Sequence, residues 1–155
     1  MKNIFECIIK NDRKSLVKIL KKNSKDLNIL DRYGRTPLTN ATIDGKIELV
    51  ETLIEYKADI DSKDNDERTA LHFAAQEYQI GIVKLLLENG VTVDTRDNNG
   101  NTPLSDAVFY SEGRGEIIEL LLNYGADKKL KNDYDVSPIE LAKSIDNYNV
   151  KQFFK

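Results

Sequence analysis

The stretch GNTPLSDAV, residues 100–108, has the features of a turn that leads into a helix. Thr102 is a residue type that caps helix N-termini with its side-chain oxygen, and Pro103 has a backbone angle already set for a first helical residue. Ala107 is small enough to let a neighbouring helix approach closely. The stretch therefore predicts a helix that begins at Pro103.

Nearly the same phrase occurs four times along the chain. Its Thr or Ser is found at Thr36, Thr69, Thr102 and Ser137, with separations of 33, 33 and 35 residues. An Asp or Asn stands five residues before each of these positions, and an Ala stands five residues after each. A fixed period in this range is the signature of stacked structural repeats.

A second apolar pattern follows each of the first three phrases after a short turn. Apolar residues recur three and four positions apart in residues 47–54, 80–87 and 117–122, which predicts amphipathic helices. Gly90 and Gly125 come shortly after the last two of these segments, where glycine readily adopts the left-handed conformation that ends a helix. Each unit is therefore predicted to contain a turn, a helix, a turn, a helix and an extended loop.

These motifs resemble the ankyrin-repeat family, whose unit reads D-x-x-G-x-T-P-L-H-x-A followed by G…I-V-x-L-L-L-x-x-G-A-D. The matching segments are residues 31–38, 68–75, 97–104 and 125–127. The resemblance implies an all-α solenoid of stacked helix-turn-helix units joined by β-hairpin-like loops, in one domain over residues 1–155. Its expected units are an N-terminal capping repeat at 1–30, full repeats at 31–63, 64–96 and 97–131, and a shortened C-terminal capping repeat at 132–155.

Departures from the pattern concentrate around the second full repeat. Lys57, Glu67 and Tyr78 stand where other units have glycine. If their backbones still require a positive φ, each costs on the order of 1 kcal/mol. The third full repeat carries two extra residues around 111–115, which should lengthen the turn between its helices.

Composition and charge narrow the class of protein. The chain has 40% hydrophobic and 32% charged residues, too apolar for a disordered protein, and lacks an apolar stretch long enough to span a bilayer. Its first residues lack the apolar core of a secretory signal, and its single cysteine, Cys7, lies among apolar residues. We therefore expect a cytoplasmic protein with a buried thiol and no membrane association.

The charges are unevenly distributed. Residues 1–30 contain eight basic and three acidic residues, a net +5, whereas residues 31–97 contain eight basic and fourteen acidic residues, a net −6. We interpret the basic end as the solvated outer face of the first cap's second helix, and a patch for an acidic partner is the alternative. Its residues are Lys14, Lys18, Lys21, Lys22 and Lys25.

The sequence offers little catalytic or metal-binding chemistry. His72 is the only histidine, and the resemblance implies that it is a structural hydrogen-bonding residue that bridges adjacent loops. We expect no cofactor, no metal and no nucleic-acid partner, since the predicted loop surface is mixed or acidic and would repel phosphates. An enzyme or metal-binding protein on an unexpected scaffold is the alternative to a non-catalytic protein.

The resemblance implies a monomeric protein–protein interaction module that binds its partner through the concave face of loop tips and first helices. A small inhibitor or immunity-type protein that occludes a toxin or enzyme is the alternative. The candidate contact residues, carried over by position, are Arg32, Tyr33, Arg35, Ile43, Asp66, Arg68, Glu77, Asn99, Asn101, Phe109, Tyr110 and Tyr134. Tyr33, Arg35, Arg68, Phe109 and Tyr110 carry most weight, because aromatic and arginine side chains dominate interface hot spots. Alternatively, Phe109 and Tyr110 pack under the enlarged loop.

Overall fold

The computed structural model describes residues 3–154, apart from the Ser24 side chain. Within that span the chain is all-α, as predicted, with no β-strand. The α-helices are α1 (Ile4–Ile9), α2 (Arg13–Lys22), α3 (Pro37–Ile43), α4 (Ile47–Glu55), α5 (Ala70–Gln76), α6 (Ile80–Glu88), α7 (Pro103–Phe109), α8 (Glu116–Asn123) and α9 (Pro138–Ser144). Two 3₁₀ turns occupy Ser24–Asn28 and Val150–Phe153.

The first helix of each unit begins where the capping residues predict. Thr36 Oγ1 accepts a hydrogen bond from the Thr39 N–H at 3.2 Å, and Pro37 is the first helical residue. Ser137 Oγ caps α9 in the same way, by accepting from the Glu140 N–H at 3.4 Å. These caps satisfy helix amides that would otherwise lack a partner.

The helices stack in two layers that share one elongated core. Helices α1, α3, α5, α7 and α9 contact one another in sequence to form the inner layer, and α2, α4, α6 and α8 form the outer layer. Leu38, Leu71 and Leu104 are fully buried between the units. Ile139 of α9, at the equivalent position of the last unit, is only partly buried.

The loops between units are linked to one another in a row. Asp31 Oδ1 accepts hydrogen bonds from the Tyr33 and Arg35 N–H groups at 2.8 and 3.0 Å, which fixes the loop tip. The Asn65 N–H donates to the Tyr33 carbonyl of the preceding loop at 3.0 Å. The Asn98 and Asp133 amides repeat this contact at the next two loops, so the tips form a continuous edge.

The left-handed conformations expected at three non-glycine residues are confirmed. Lys57, Glu67 and Tyr78 have φ values of 67°, 59° and 53°. At Gly34 the constraint is steric as well, because a Cβ would lie 2.9 Å from the Asn65 backbone nitrogen. Asp135 also has a positive φ, 62°, which the sequence analysis did not anticipate.

The enlarged turn of the third full repeat is also confirmed. Six residues separate α7 from α8, where three separate α3 from α4. Arg114 lies 3.7 Å above the Tyr78 ring, and a Cβ on Gly113 would lie 2.8 Å from the Tyr148 side chain. The turn is therefore held between the preceding repeat and the C-terminal segment.

The lysines of the first cap are exposed, in agreement with a solvated face. Four of them lie on α2, namely Lys14, Lys18, Lys21 and Lys22. The expectation that Lys25 continues the same helix is wrong, because α2 ends at Lys22 and Asn23 caps a separate 3₁₀ turn with its side chain.

Candidate functional site

The loop tips and the inner-layer helices form one face of the stack, which we call the groove, and three clefts lie along it. The N-terminal cleft, lined by residues that include Ile9, Arg32 and Tyr33, has a volume of about 430 Å³. The acidic cleft, lined by Asp66 and Asp97 among others, measures about 300 Å³. The third, which we call the aromatic cleft, measures about 330 Å³.

In the half of the groove towards the N-terminus, arginines lie over the aromatic rings. The Arg35 guanidinium carbon is 4.9 Å from the ring centroids of both Tyr33 and Phe73. Arg32 lies 4.6 Å from the Tyr33 ring, and Arg68 lies 4.4 Å from the Phe73 ring. At these distances the cations are attracted to the ring faces. We call these five residues the arginine-covered half; Arg68 lies at its boundary and also lines the acidic cleft.

Arg68 also anchors a largely buried ion pair. Its Nη2 lies 2.9 Å from Asp106 Oδ2, and the two side chains are 19% and 13% exposed. Burial raises the pKa of Asp106 to about 6, and the attraction of Arg68 offsets only part of that effect. The pair joins the second loop to α7, two elements that belong to different repeats.

His72 is a structural residue that bridges adjacent repeats, as the resemblance implied. Its Nδ1 accepts a hydrogen bond from the Thr69 N–H at 3.1 Å, and its Nε2 donates to the Asn101 carbonyl at 3.2 Å. Burial lowers the pKa of His72 to about 4, so the ring is neutral near pH 7. The neutral ring thus connects the N-terminus of α5 to the loop of the next repeat.

The aromatic cleft presents rings that no arginine covers among the described residues. Phe109 is 64% exposed and Tyr110 is 41% exposed, and their rings meet edge to face with centroids 4.9 Å apart. Val136 and Leu141 line the same cleft from the following unit. The alternative that these rings pack under the enlarged loop is therefore wrong for Phe109, most of which is in solvent.

The acidic cleft adjoins the aromatic cleft and shares Asn101, Asp106 and Tyr110 with it. Its charged lining consists of three carboxylates, from Asp66, Asp97 and Asp106, and one guanidinium, from Arg68. Because Arg68 is paired with Asp106, two carboxylates remain without an opposite charge in the lining. We call the acidic and aromatic clefts together the open half of the groove.

The remaining candidate residues occupy varied positions along the groove. Asn99 lines the acidic cleft and is exposed. Tyr134 is 72% exposed at the fourth loop tip, and Glu77 is exposed at the end of α5. Ile43 is half-buried, and neither it nor Arg35 lines any of the three clefts. Thus the structure brings Asp66, Arg68, Asn99, Asn101, Phe109 and Tyr110 together in the open half.

One register of the inner helices was missed by the sequence analysis. It is the fourth residue after each capping Thr or Ser, and it is occupied by Asn40, Phe73, Asp106 and Leu141. Each of these side chains lines a cleft or stacks on an arginine of the groove. The available signal was their variation from unit to unit, beside neighbours such as Leu38 and Ala41 that hardly vary among the repeats.

No group of three or more His, Cys, Asp or Glu side chains in the described part of the chain is arranged to hold a metal ion. No helix within the same residues is both long and apolar enough to cross a membrane.

A family model described as ankyrin repeats matches residues 4–64 and 58–132, with three copies of the repeat. A search of curated proteins found no match.

Proposed function

The chain belongs to the ankyrin-repeat family, and on that premise we propose that it is a non-catalytic module whose groove binds a segment of a protein partner. Ankyrin repeats are generally protein–protein interaction modules, and solenoids bind through the extended face that their repeats create. The proposal assigns that role to the loop tips and inner helices of this chain.

The observation that carries this proposal is the exposed aromatic pair in the open half. A folded protein gains by burying large rings, yet Phe109 remains 64% exposed and Tyr110 41% exposed beside a cleft of about 330 Å³. Exposed apolar surface rimmed by polar residues is typical of binding sites. Truncation of an aromatic hot spot typically costs about 2 kcal/mol or more of binding free energy.

The proposal can be tested by affinity purification from the native source with three matched baits. The baits are the wild-type chain, a groove variant with Phe109→Ser and Tyr110→Ser, and an outer-face variant with Lys14→Gln, Lys18→Gln and Lys21→Gln. The altered side chains are exposed in both variants, so we expect both to fold like the wild type by circular dichroism. Mass spectrometry should find a partner with the wild-type and outer-face baits that is missing from the groove bait.

Partner retention by the groove bait, together with its loss from the outer-face bait, would contradict the proposal. That result would instead favour an acidic partner bound to the lysines of α2. If the recovered partner is an enzyme or toxin whose activity falls on binding, the module acts as an inhibitor.

A further inference from the structure

We infer that the partner segment places a basic side chain, Arg or Lys, in the acidic cleft and an adjacent apolar side chain in the aromatic cleft. This inference rests on the proposed function and specifies the chemistry of the partner. It follows from the composition of the two clefts and from the residues that they share.

The charge of the acidic cleft selects the basic side chain. Asp66 is exposed at the second loop tip, and Asp97 accepts two backbone hydrogen bonds through Oδ1, from Asn99 and Asn101, each at 2.9 Å. These bonds hold the Asp97 carboxylate in place within the cleft lining. Because Arg68 is already paired with Asp106, a guanidinium or ammonium from a partner would supply the missing charge and form charge-assisted hydrogen bonds.

The aromatic cleft selects the apolar neighbour. Phe109, Val136 and Leu141 provide its apolar lining. Tyr110 borders both clefts, so its ring can contact the alkyl stem or the charged head of the basic side chain. Since the clefts share lining residues, the two partner side chains must lie close together on one face of the bound segment, as alternate residues of an extended segment do.

The arginine-covered half does not supply an equally strong site for an acidic segment. Arg35 is paired with Asp64 at 3.4 Å and stacks on two rings, and Arg68 is paired with Asp106. Of the three arginines in this half, Arg32 has no ion pair within the described part of the chain, and its Nη2 donates to the Tyr33 hydroxyl at 2.5 Å. Among the described residues, the open half therefore offers a partner two carboxylates without an ion pair, whereas the arginine-covered half offers one guanidinium.

The test uses the full-length chain and a phage-displayed library of random dodecapeptides. The groove variant for this test is Asp66→Asn with Asp97→Asn. The chain itself shows that both changes are tolerated, because Asn99 stands at the position equivalent to Asp66. Asn132 stands at the position equivalent to Asp97 and makes the same two hydrogen bonds, to the Tyr134 and Val136 amides at 3.0 Å each. Glu48→Gln with Glu51→Gln, on exposed positions of α4, is the control with the same change in charge.

Peptides selected on the wild-type chain should be enriched in Arg or Lys within a few residues of an apolar residue. Their affinity, measured by isothermal titration calorimetry on synthetic peptides, should fall about tenfold or more with the groove variant. It should be unchanged with the α4 control and should weaken as salt is added.

Several results would overturn the inference. Enrichment of acidic residues, or equal binding to the wild type and the Asp66→Asn, Asp97→Asn variant, would show that the acidic cleft does not select the partner. A library that yields no binder would contradict a site for a short basic–apolar segment. If selected peptides instead lose affinity with Tyr33→Ala and Arg32→Ala, the inference fails while the groove-binding function stands. If the bound peptides depend on no groove residue, the proposed function fails as well.

Discussion

Guanidinium groups lie over both aromatic rings of the arginine-covered half, whereas in the open half no guanidinium of the described residues covers Phe109 or Tyr110, whose rings meet edge to face. Phe73, in the first group, is 6% exposed, while Phe109 is 64% exposed. The arginines over Phe73 also pair with Asp64 and Asp106. Tyr33, in the first group, is 47% exposed, so the contrast is carried by the two phenylalanines: Phe73 is packed into the fold, and Phe109 remains available for binding.

The largest effect that the comparison predicts is on stability, at Arg68. Arg68→Ala should lower the free energy of unfolding by about 3 kcal/mol, because it leaves the Asp106 carboxylate buried without its partner. Urea-induced unfolding followed by circular dichroism measures this change. A variant as stable as the wild type would show that the Arg68–Asp106 pair does not join the repeats.

The second prediction concerns the pH dependence of stability. The folded-state pKa of Asp106 is raised to about 6 from 3.8, so its contribution to stability is present below the unfolded pKa and is lost as pH rises through 6. The folded-state pKa of His72 is lowered to about 4 from 6.5, so its contribution is present above 6.5 and is lost as pH falls towards 4. The two contributions oppose each other between pH 4 and 6.

Asp106→Asn removes one of these contributions. As pH falls from 6 to 4, the variant should lose up to about 2 kcal/mol of stability relative to the wild type. The destabilising effect of acid through His72 acts on both proteins, but only the wild type is stabilised by protonation of Asp106. Urea unfolding at a series of pH values measures the difference between the two proteins. Parallel curves over this range would mean that Asp106 does not titrate there.

A smaller effect is expected at the left-handed residues of the outer layer. Lys57→Gly should raise the free energy of unfolding by about 1 kcal/mol, since Lys57 is exposed with φ of 67°. Gly90→Ala is the matched control at the equivalent position, where φ is 80° and a Cβ would meet no atom within 4 Å. It should lower stability by about the same amount. An unchanged or lower unfolding midpoint for Lys57→Gly would contradict the claim that the left-handed backbone at Lys57 destabilises the fold.

The smallest effect on stability is expected in the open half. Phe109→Ala should change the free energy of unfolding by only about 0.5 kcal/mol or less, because most of the ring is already in solvent. The same substitution should weaken binding of selected peptides or of the recovered partner. A loss of stability comparable to that of Arg68→Ala would show that Phe109 is a packing residue, and would remove the contrast between the two halves.

The sequence predicted the repeats well because the signals for them are local. Capping residues and the period located the start of α3, α7 and α9, and the missing glycines identified the left-handed residues Lys57 and Tyr78. The packing of Tyr148 against the enlarged turn was not predicted. That contact depends on how the C-terminal segment folds back, for which the repeat pattern carries no signal.

The candidate site was predicted less completely, since it depends on contacts between repeats. Helical spacing alone left two possibilities for Phe109, a core position or an exposed one, because the enlarged loop could have covered it. Arg35 stacks on Phe73, a residue 38 positions later in the chain, and no local pattern encodes that pairing. Asp106 was overlooked because its role requires Arg68 from the preceding repeat.

The most direct test of this account is hydrogen–deuterium exchange of the full chain, alone and saturated with the partner recovered on the wild-type bait. We predict slower exchange at the loop tips and inner helices of the open half, residues 97–110 and 132–137, with no local change in α2. Slowing confined to α2 and the outer layer, with unchanged exchange across residues 97–110, would contradict the central claim that the open half of the groove is the binding surface.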